Sequence, residues 1–184
     1  MEMGEKKNID DFLSIPENIN IQVVGEEVKV KGVLGEINKK LVDPRIKVSI
    51  EGNKVRFTAK KSRKKEITLI NSFKAHIKNM INGVLKGHDY KLKVCSGHFP
   101  MNIAITKNKF SVKNFLGEKI PRVLEISENV NVKIEGDIIS VNGINKEVVS
   151  QTAANIEMLC RIRDKDLRVF QDGIWIINKD GKHI

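Results

Sequence analysis

The order of apolar and polar residues predicts a chain built mainly from short β-strands. Apolar residues alternate with polar ones over 19–24 and again over 27–31, with Gly25 and Glu26 between the two runs. A period of two is that of a strand, and glycine readily takes the positive φ of a tight turn. These runs therefore predict a β-hairpin. The same reasoning predicts strands over 39–42, 46–50, 55–59, 90–94, 101–106, 110–112, 167–170 and 174–177.

Two segments change to the three- and four-residue steps of an amphipathic helix. The first covers 67–85, where the apolar positions are Ile70, Phe73, Ile77, Met80, Ile81 and Val84. The second covers 148–160, with Val148, Val149, Thr152, Ile156, Leu159 and Cys160 at helical spacing. Because such a spacing gathers apolar side chains on one stripe, we expect each helix to cover one face of a small sheet.

A longer repeat relates the two halves of the chain. Residues 15–32 and 126–143 align without a gap, share the pattern Glu-Asn-(Ile/Val)-Asn-(Ile/Val) and place two glycines in register. Any two antiparallel hairpins share part of this pattern, but the common phase of motif and glycines favours an internal duplication. The two helices align at a smaller offset, so the first copy is expected to carry an extra basic hairpin.

These patterns predict an α+β protein of two tandem duplicated domains, each a small, mostly antiparallel sheet packed against one main helix. We predict an N-terminal domain over 1–113, with the extra basic hairpin, and a C-terminal repeat of the same unit over 114–184. The stretch 114–123 between them is expected to be a short connector. Only the first dozen residues look loosely held.

The charge balance indicates a polyanionic partner. The chain of 184 residues has 33 Lys and Arg against 23 Asp and Glu, a formal net charge of +10, and a sequence pI near 9.6. Such a balance is typical of nucleic-acid-binding proteins. An anionic membrane is the competing partner, but it would require a basic amphipathic helix or a lipidation signal, and neither is found. We therefore expect no membrane partner and no secretion signal at the N-terminus.

One segment concentrates this charge. Five of the six residues from 60 to 65 are cationic: Lys60, Lys61, Arg63, Lys64 and Lys65. They lie between a predicted strand and a predicted helix. Such a loop either remains solvated or contacts phosphates, where lysine and arginine release counterions from the nucleic-acid backbone. The basic character of the whole chain favours the second interpretation.

No motif indicates catalysis. The chain contains no phosphate-binding loop, no nucleophile elbow and no dinucleotide fingerprint. Cys95 and His98 form a possible metal half-site, but no second pair has zinc-ligand spacing. The sequence therefore predicts a protein that is not an enzyme and has no cofactor, metal or small-molecule substrate. A small enzyme with a site split between the domains stays open as an alternative without supporting residues.

Four segments carry a resemblance to a known family. They are Ser-Val-Lys-Asn-Phe-Leu-Gly-Glu-Lys-Ile-Pro-Arg-Val at 111–123, His-Phe-Pro-Met-Asn at 98–102, Val-Ser-Gln-Thr-Ala-Ala at 149–154 and Asp-Leu-Arg-Val-Phe-Gln-Asp-Gly-Ile-Trp at 166–175. They occur in order along nearly the whole chain. With these segments the chain resembles the L6 family of large-subunit ribosomal proteins, in its archaeal and eukaryotic branch.

The resemblance implies a cytoplasmic structural protein of the large ribosomal subunit. It would bind large-subunit rRNA near the sarcin–ricin loop and the factor-binding region, mainly through the second domain, beside neighbouring ribosomal proteins. Lys113, Asn114, Lys119 and Arg122 match family positions in the motif at 111–123, and we expect the cations there to reach phosphates. A nucleic-acid-binding adaptor that acts outside the ribosome is the alternative.

Further cations are candidates for the same interface. Guanidinium groups bind phosphate bidentately, which suits Arg161, Arg163 and Arg168, although ordinary surface solubility explains exposed arginines as well. Lys179 and Lys182 lie in the short polar tail. Trp175 either stacks on a base or packs against the second helix. Since aromatic residues make up only 5% of the chain, an extended stacking platform for single strands is not expected.

Overall fold

The computed structural model describes residues 7–62 and 64–184, and the chain forms two compact units. The first unit ends at Lys86 and the second spans Gly87–Ile184. Within the described residues, no helix is both long enough and apolar enough to cross a lipid bilayer.

The first unit contains two antiparallel sheets and one α-helix. Its strands are β1 (Lys7–Ser14), β2 (Asn20–Val24), β3 (Glu27–Lys31), β4 (Glu36–Lys40), β5 (Ile46–Glu51) and β6 (Lys54–Ser62), and its helix is α1 (Lys64–Lys86). One three-stranded sheet has the order β2-β3-β4 and the other β1-β6-β5. Most of β1 lies within the first dozen residues, which were expected to be loosely held, and it pairs with β6 over nearly its whole length.

The stripe predicted on the first helix is confirmed. Ile70, Ile77 and Val84 are buried among the core residues of this unit, and α1 contacts β6 and β3. The helix begins three residues earlier than predicted, directly after the end of β6. The described residues of the basic segment are therefore not a loop, since 60–62 end the strand β6 and 64–65 belong to the first turn of α1.

The second unit repeats this plan and extends it. Its elements are β7 (His88–Cys95), β8 (Asn102–Thr106), β9 (Lys109–Lys113), a 3-10 turn (Phe115–Gly117), β10 (Arg122–Glu125), β11 (Val130–Glu135), β12 (Ile138–Gly143), α2 (Lys146–Leu159), β13 (Gly173–Lys179) and β14 (Lys182–His183). The sheets have the orders β10-β9-β8 and β11-β12-β7-β13-β14, with antiparallel pairing throughout. The predicted strand over 167–170 is wrong, because those residues form turns.

The strand orders show which elements of the two units correspond. The order β1-β6-β5 matches β7-β12-β11, and β2-β3-β4 matches β8-β9-β10, with a helix following in both. The hairpin β2–β3 therefore corresponds to β8–β9. The gap-free alignment of 15–32 with 126–143 was wrong, because it compared β2–β3 with the different hairpin β11–β12. The hairpin β5–β6 is not an extra element, since β11–β12 occupies its place in the second unit.

The observed division of the chain differs from the boundary predicted between residues 113 and 114. β7 pairs with both β12 and β13, which ties residues 88–95 to the second unit. Phe115, in the expected connector, is only 1% exposed and belongs to the core of the same unit. The motif at 111–123 is thus an internal part of the second unit.

A close approach fixes α2 on its sheet. A Cβ placed on Gly143 would lie 2.7 Å from Cγ2 of Val149 and 3.1 Å from the carbonyl oxygen of Asn129. Only glycine leaves room for the first turn of α2 here. The helix is capped by Asn145, whose side chain accepts a hydrogen bond of 3.0 Å from the amide of Glu147.

Candidate nucleic-acid interface

Arg122 joins three segments of the second unit. Its guanidinium donates hydrogen bonds of 2.8 and 2.6 Å to the two carboxylate oxygens of Glu118. It also donates to the carbonyl oxygens of Leu159 at 2.7 Å and Arg161 at 3.4 Å. The guanidinium carbon lies 4.3 Å from the ring centre of Phe115. Arg122 therefore holds the motif at 111–123 against the C-terminal end of α2, where helix carbonyls lack intrahelical donors.

The electrostatics of this junction agree with its geometry. The hydrogen bonds from Arg122 lower the pKa of the Glu118 carboxyl, against the opposing effect of burial. The same bonds raise the pKa of Arg122. Burial raises the pKa of the neighbouring Cys160 thiol to about 11. Since the guanidinium is already bound within the chain, Arg122 is better suited to position other residues than to bind phosphate.

The backbone around Phe115 is unusually constrained. Asn114, Leu116 and Gly117 have φ angles of 61°, 48° and 80°, in the left-handed region that most residues avoid. The side chain of Asn114 donates a hydrogen bond of 3.0 Å to the carbonyl of Pro100. This contact and the burial of Phe115 hold the segment in a shape that its sequence does not favour locally. Asn114 thus serves the structure of the motif.

Four exposed cations lie on the segments that meet at Arg122. Lys113 and Lys119 flank the constrained turn, and Arg161 and Arg163 follow α2. Ile162 is buried between the two arginines, so both of their side chains are left on the outside. No ion pair joins any of these four side chains to another part of the described chain. We call these four residues the junction cations.

Arg168 differs from the junction cations. Its guanidinium binds Asp166 with contacts of 2.8, 3.1 and 3.2 Å, although 90% of its side chain is exposed. The hydrogen bonds between the two residues lower the pKa of Asp166 and raise that of Arg168. The pair is locally neutral, and nearby Leu167 and Val169 are each 60% exposed. Arg168 therefore offers a phosphate less positive charge than its residue type suggests.

A buried carboxylate ties two loops of the second unit together. Asp172 accepts hydrogen bonds from the amides of Gly97 and His98 at 2.9 and 3.2 Å, and its Oδ1 lies 3.1 Å from Nδ1 of His98. The His98 ring stacks on Phe170 with 4.9 Å between ring centres. Burial raises the pKa of Asp172, but these hydrogen bonds outweigh it and lower the pKa.

No pattern in the sequence indicates this role of Asp172. The pairing of Asp172 with His98 spans the unit, so no local pattern marks it. His98 was considered with Cys95 as a metal half-site, and the structure gives it a carboxylate partner instead. Within residues 7–62 and 64–184, no group of three or more His, Cys, Asp or Glu side chains is arranged to hold a metal ion.

The remaining predicted cations lie elsewhere. Lys179 and Lys182 pair across the hairpin β13–β14, and both are exposed. In the first unit, Lys60 is exposed on β6, and Lys64 and Lys65 are exposed in the first turn of α1. Lys61 belongs to β6, but its side chain is not described, and Arg63 lies outside the described residues.

Trp175 lies on the face of its sheet that points away from α2. Ile174 is 1% exposed and belongs to the core with residues of α2, whereas Trp175 is 45% exposed. Adjacent residues of a strand point to opposite faces. Ile174 therefore occupies the place against the helix that was considered for Trp175.

Comparison with known proteins gives a consistent result. The sequence profile of the family described as Ribosomal protein L6 matches residues 15–87 and 99–173. The chain is 40% identical over 174 residues to the large ribosomal subunit protein uL6 of Methanococcus vannielii, which covers 95% of this chain and 96% of that protein. It is also 40% identical to the uL6 proteins of Methanothrix thermoacetophila, over 91% of this chain and 95% of that protein, and Methanobrevibacter smithii, over 94% and 97%.

Proposed function

The chain belongs to the ribosomal protein L6 family and is a structural, non-enzymatic protein of the large ribosomal subunit, and from this premise we propose that its second unit binds large-subunit rRNA near the sarcin–ricin loop and the factor-binding region. Its partners there are the rRNA and neighbouring large-subunit proteins, in the cytoplasm. The two matched family segments and the archaeal relatives support the ribosomal assignment. The location on the rRNA rests on the resemblance of the motif at 111–123.

The junction cations are the observation that supports this proposal most directly. They are exposed and form no ion pair with the residues that the structure describes, so their charges are available to a polyanion. Arg122 fixes the two segments that carry them. Folded RNA is recognised mainly through its shape and phosphates, for which cations held by a rigid scaffold are suited.

The arginines at 161 and 163 and the lysines at 113 and 119 have different tasks in this proposal. Guanidinium groups bind phosphate oxygens in pairs, so Arg161 and Arg163 would fix orientation. Lysine acts as a point charge and contributes mainly through counterion release. Arg168 contributes after Asp166 is displaced, and Arg122 contributes by position.

The proposal is tested by RNA binding as a function of salt. The probe is a transcribed large-subunit rRNA fragment that contains the sarcin–ricin region. Replacement of Lys119, Arg161 and Arg163 by alanine should weaken binding and reduce the slope of log K against log salt by about one per lost contact. Lys78→Ala, at an exposed position of α1 in the first unit, is the matched control and should leave the slope unchanged. An unaltered slope in the triple variant would remove the junction cations from the interface.

The location and the assembly state require two further measurements. Crosslinking within isolated large subunits should join the segment 161–163 to rRNA near the sarcin–ricin loop. Sedimentation in high salt should place the chain with the large subunit. Recovery of the chain only in ribosome-free fractions would instead support an adaptor that acts outside the ribosome.

A further inference from the structure

The indole of Trp175 is hydrogen-bonded at one edge and is partly exposed to solvent. Its Nε1 donates a hydrogen bond of 3.4 Å to the carbonyl of Gln171. A Cβ placed on Gly173 would lie 3.2 to 3.4 Å from Nε1, Cε2 and Cζ2 of this ring, so the absence of a side chain at Gly173 gives the ring its place. A tryptophan that is fixed at one edge and 45% exposed offers an apolar aromatic surface to a ligand.

Two lysines of β7 share this outer face with Trp175. In β7, Tyr90, Leu92 and Val94 are buried, so Lys91 and Lys93 lie on the other side of the sheet. Lys93 pairs directly with Trp175 in the register of β13, and neighbouring strands are about 4.8 Å apart. Alternate residues of one strand are separated by roughly 6.8 Å. The aromatic ring therefore has two cations within the reach of one nucleotide and its neighbour.

A third lysine continues the basic row. Ser140 of β12 pairs with Lys91 on one side and with Lys133 of β11 on the other. Lys91, Lys93 and Lys133 are exposed and form no ion pair with any residue that the structure describes. The carboxylates on the same side of the sheet are Asp89, two residues from Lys91 on β7, and Glu135, which shares a cross-strand row with Lys93 through Ile138. We call Lys91, Lys93, Lys133 and Trp175 the outer-face group.

We infer that the outer-face group binds one unpaired RNA nucleotide, with its base stacked on Trp175 and its flanking phosphates on Lys93 and Lys91. This inference rests on the proposed function and adds a second contact surface to it. Stacking and phosphate neutralisation are the two interactions by which proteins hold unpaired nucleotides. The three lysines outnumber the two carboxylates of this face and form no ion pair with described residues, which favours RNA over a protein partner. A single aromatic residue fits a bulged or flipped base of folded RNA and does not fit an extended single strand.

The test uses Trp175 as its own reporter, because it is the only tryptophan of the chain. The probes are an RNA duplex with one bulged adenosine and the same duplex without the bulge. The bulged duplex should quench the indole fluorescence and bind more tightly, on the order of tenfold, because one base–aromatic stack is gained. The fully paired duplex should bind through phosphates and leave the fluorescence unchanged.

Variants separate the stack from the charges. Trp175→Leu should abolish the preference for the bulged duplex, measured by anisotropy of labelled RNA, and Trp175→Phe should retain part of it. Lys91→Gln and Lys93→Gln should weaken binding of both duplexes and reduce the salt slope by about one each. Lys78→Gln in the first unit is the matched control for a lost surface charge.

The outcomes that would overturn the inference differ from those that bear on the proposed function. Equal affinity for the two duplexes without quenching, or a preference that persists in Trp175→Leu, overturns the inference. If the rRNA fragment still binds through the junction cations in that case, the proposed function stands. Failure of the wild-type chain to bind any of these RNAs overturns both.

Discussion

Replacement of Arg122 by alanine should destabilise the second unit rather than only weaken RNA binding. The substitution removes the donor to the carbonyl of Leu159, both hydrogen bonds to Glu118 and the cation above Phe115. An unsatisfied, partly buried carbonyl costs about 1–3 kcal/mol. A desolvated cation–π contact adds about 1–2 kcal/mol. The ion pair adds at most about 1 kcal/mol, because Glu118 is 41% exposed.

These contributions overlap, so we expect a loss of about 2–4 kcal/mol in the free energy of unfolding of the second unit. The measurement is urea unfolding followed by the fluorescence of Trp175, which lies in that unit and reports it. Arg122→Lys should recover little of the loss, because an ammonium group cannot serve Glu118 and the carbonyls of Leu159 and Arg161 with the same planar geometry.

The control variant separates structure from binding at the same motif. Lys119→Ala removes an exposed charge three residues away and should change stability by less than about 0.5 kcal/mol. It should nevertheless weaken RNA binding. The positioning role of Arg122 is refuted if Arg122→Ala has the wild-type urea midpoint and its only effect is a smaller salt slope of RNA binding.

Three further predictions concern stability and reactivity. Because the pKa of Asp172 is lowered in the folded chain, its carboxylate stabilises the second unit fully when the pH is above the ordinary pKa of about 3.9. This contribution is lost as the pH falls through the lowered pKa of the folded state. Urea midpoints of the second unit should therefore decline below about pH 4 in the wild type and less steeply in Asp172→Asn. Gly143→Ala should lower the urea midpoint by an equivalent of about 1–3 kcal/mol through overpacking, whereas Gly136→Ala, which has open space but a φ of 60°, should cost about 1 kcal/mol. At pH 8, iodoacetamide should label Cys95 well before Cys160, whose pKa is raised to about 11 by burial, and peptide mass spectrometry would show equal labelling if the burial argument is wrong.

Local periodicity was sufficient to locate the main elements. The stripe from Ile70 to Val84 marked α1, and the alternation around Gly25 and Gly52 marked two hairpins, because helices and tight hairpins are specified by nearby residues. The pairing partners of those hairpins were not predictable in this way. β2–β3 and β11–β12 share a motif, yet their places in the sheets differ, since strand order depends on contacts between residues distant in the chain.

In the candidate site, too, local signals were readable from the sequence and contacts between distant residues were not. The sequence identified Arg122 as a cation but could not show that its guanidinium reaches the carbonyls of Leu159 and Arg161 and the ring of Phe115. For Arg168 a local signal was present, because Asp166 lies two residues before it and can close a turn with it. The stretch at 114–123 was expected to be a connector because it lies between the two aligned copies, and the burial of Phe115 could be seen only in the folded unit.

The exposure of Leu167 and Val169 has a consequence for the life of the chain before assembly. These two apolar side chains lie just before Phe170 and Asp172, on the segment that also carries Arg161 and Arg163. A newly made copy that has not bound RNA therefore exposes apolar and cationic side chains next to each other. We expect copies made in excess of rRNA to aggregate readily and to be degraded quickly in the cell. Synthesis of this protein therefore has to be matched to the synthesis of rRNA.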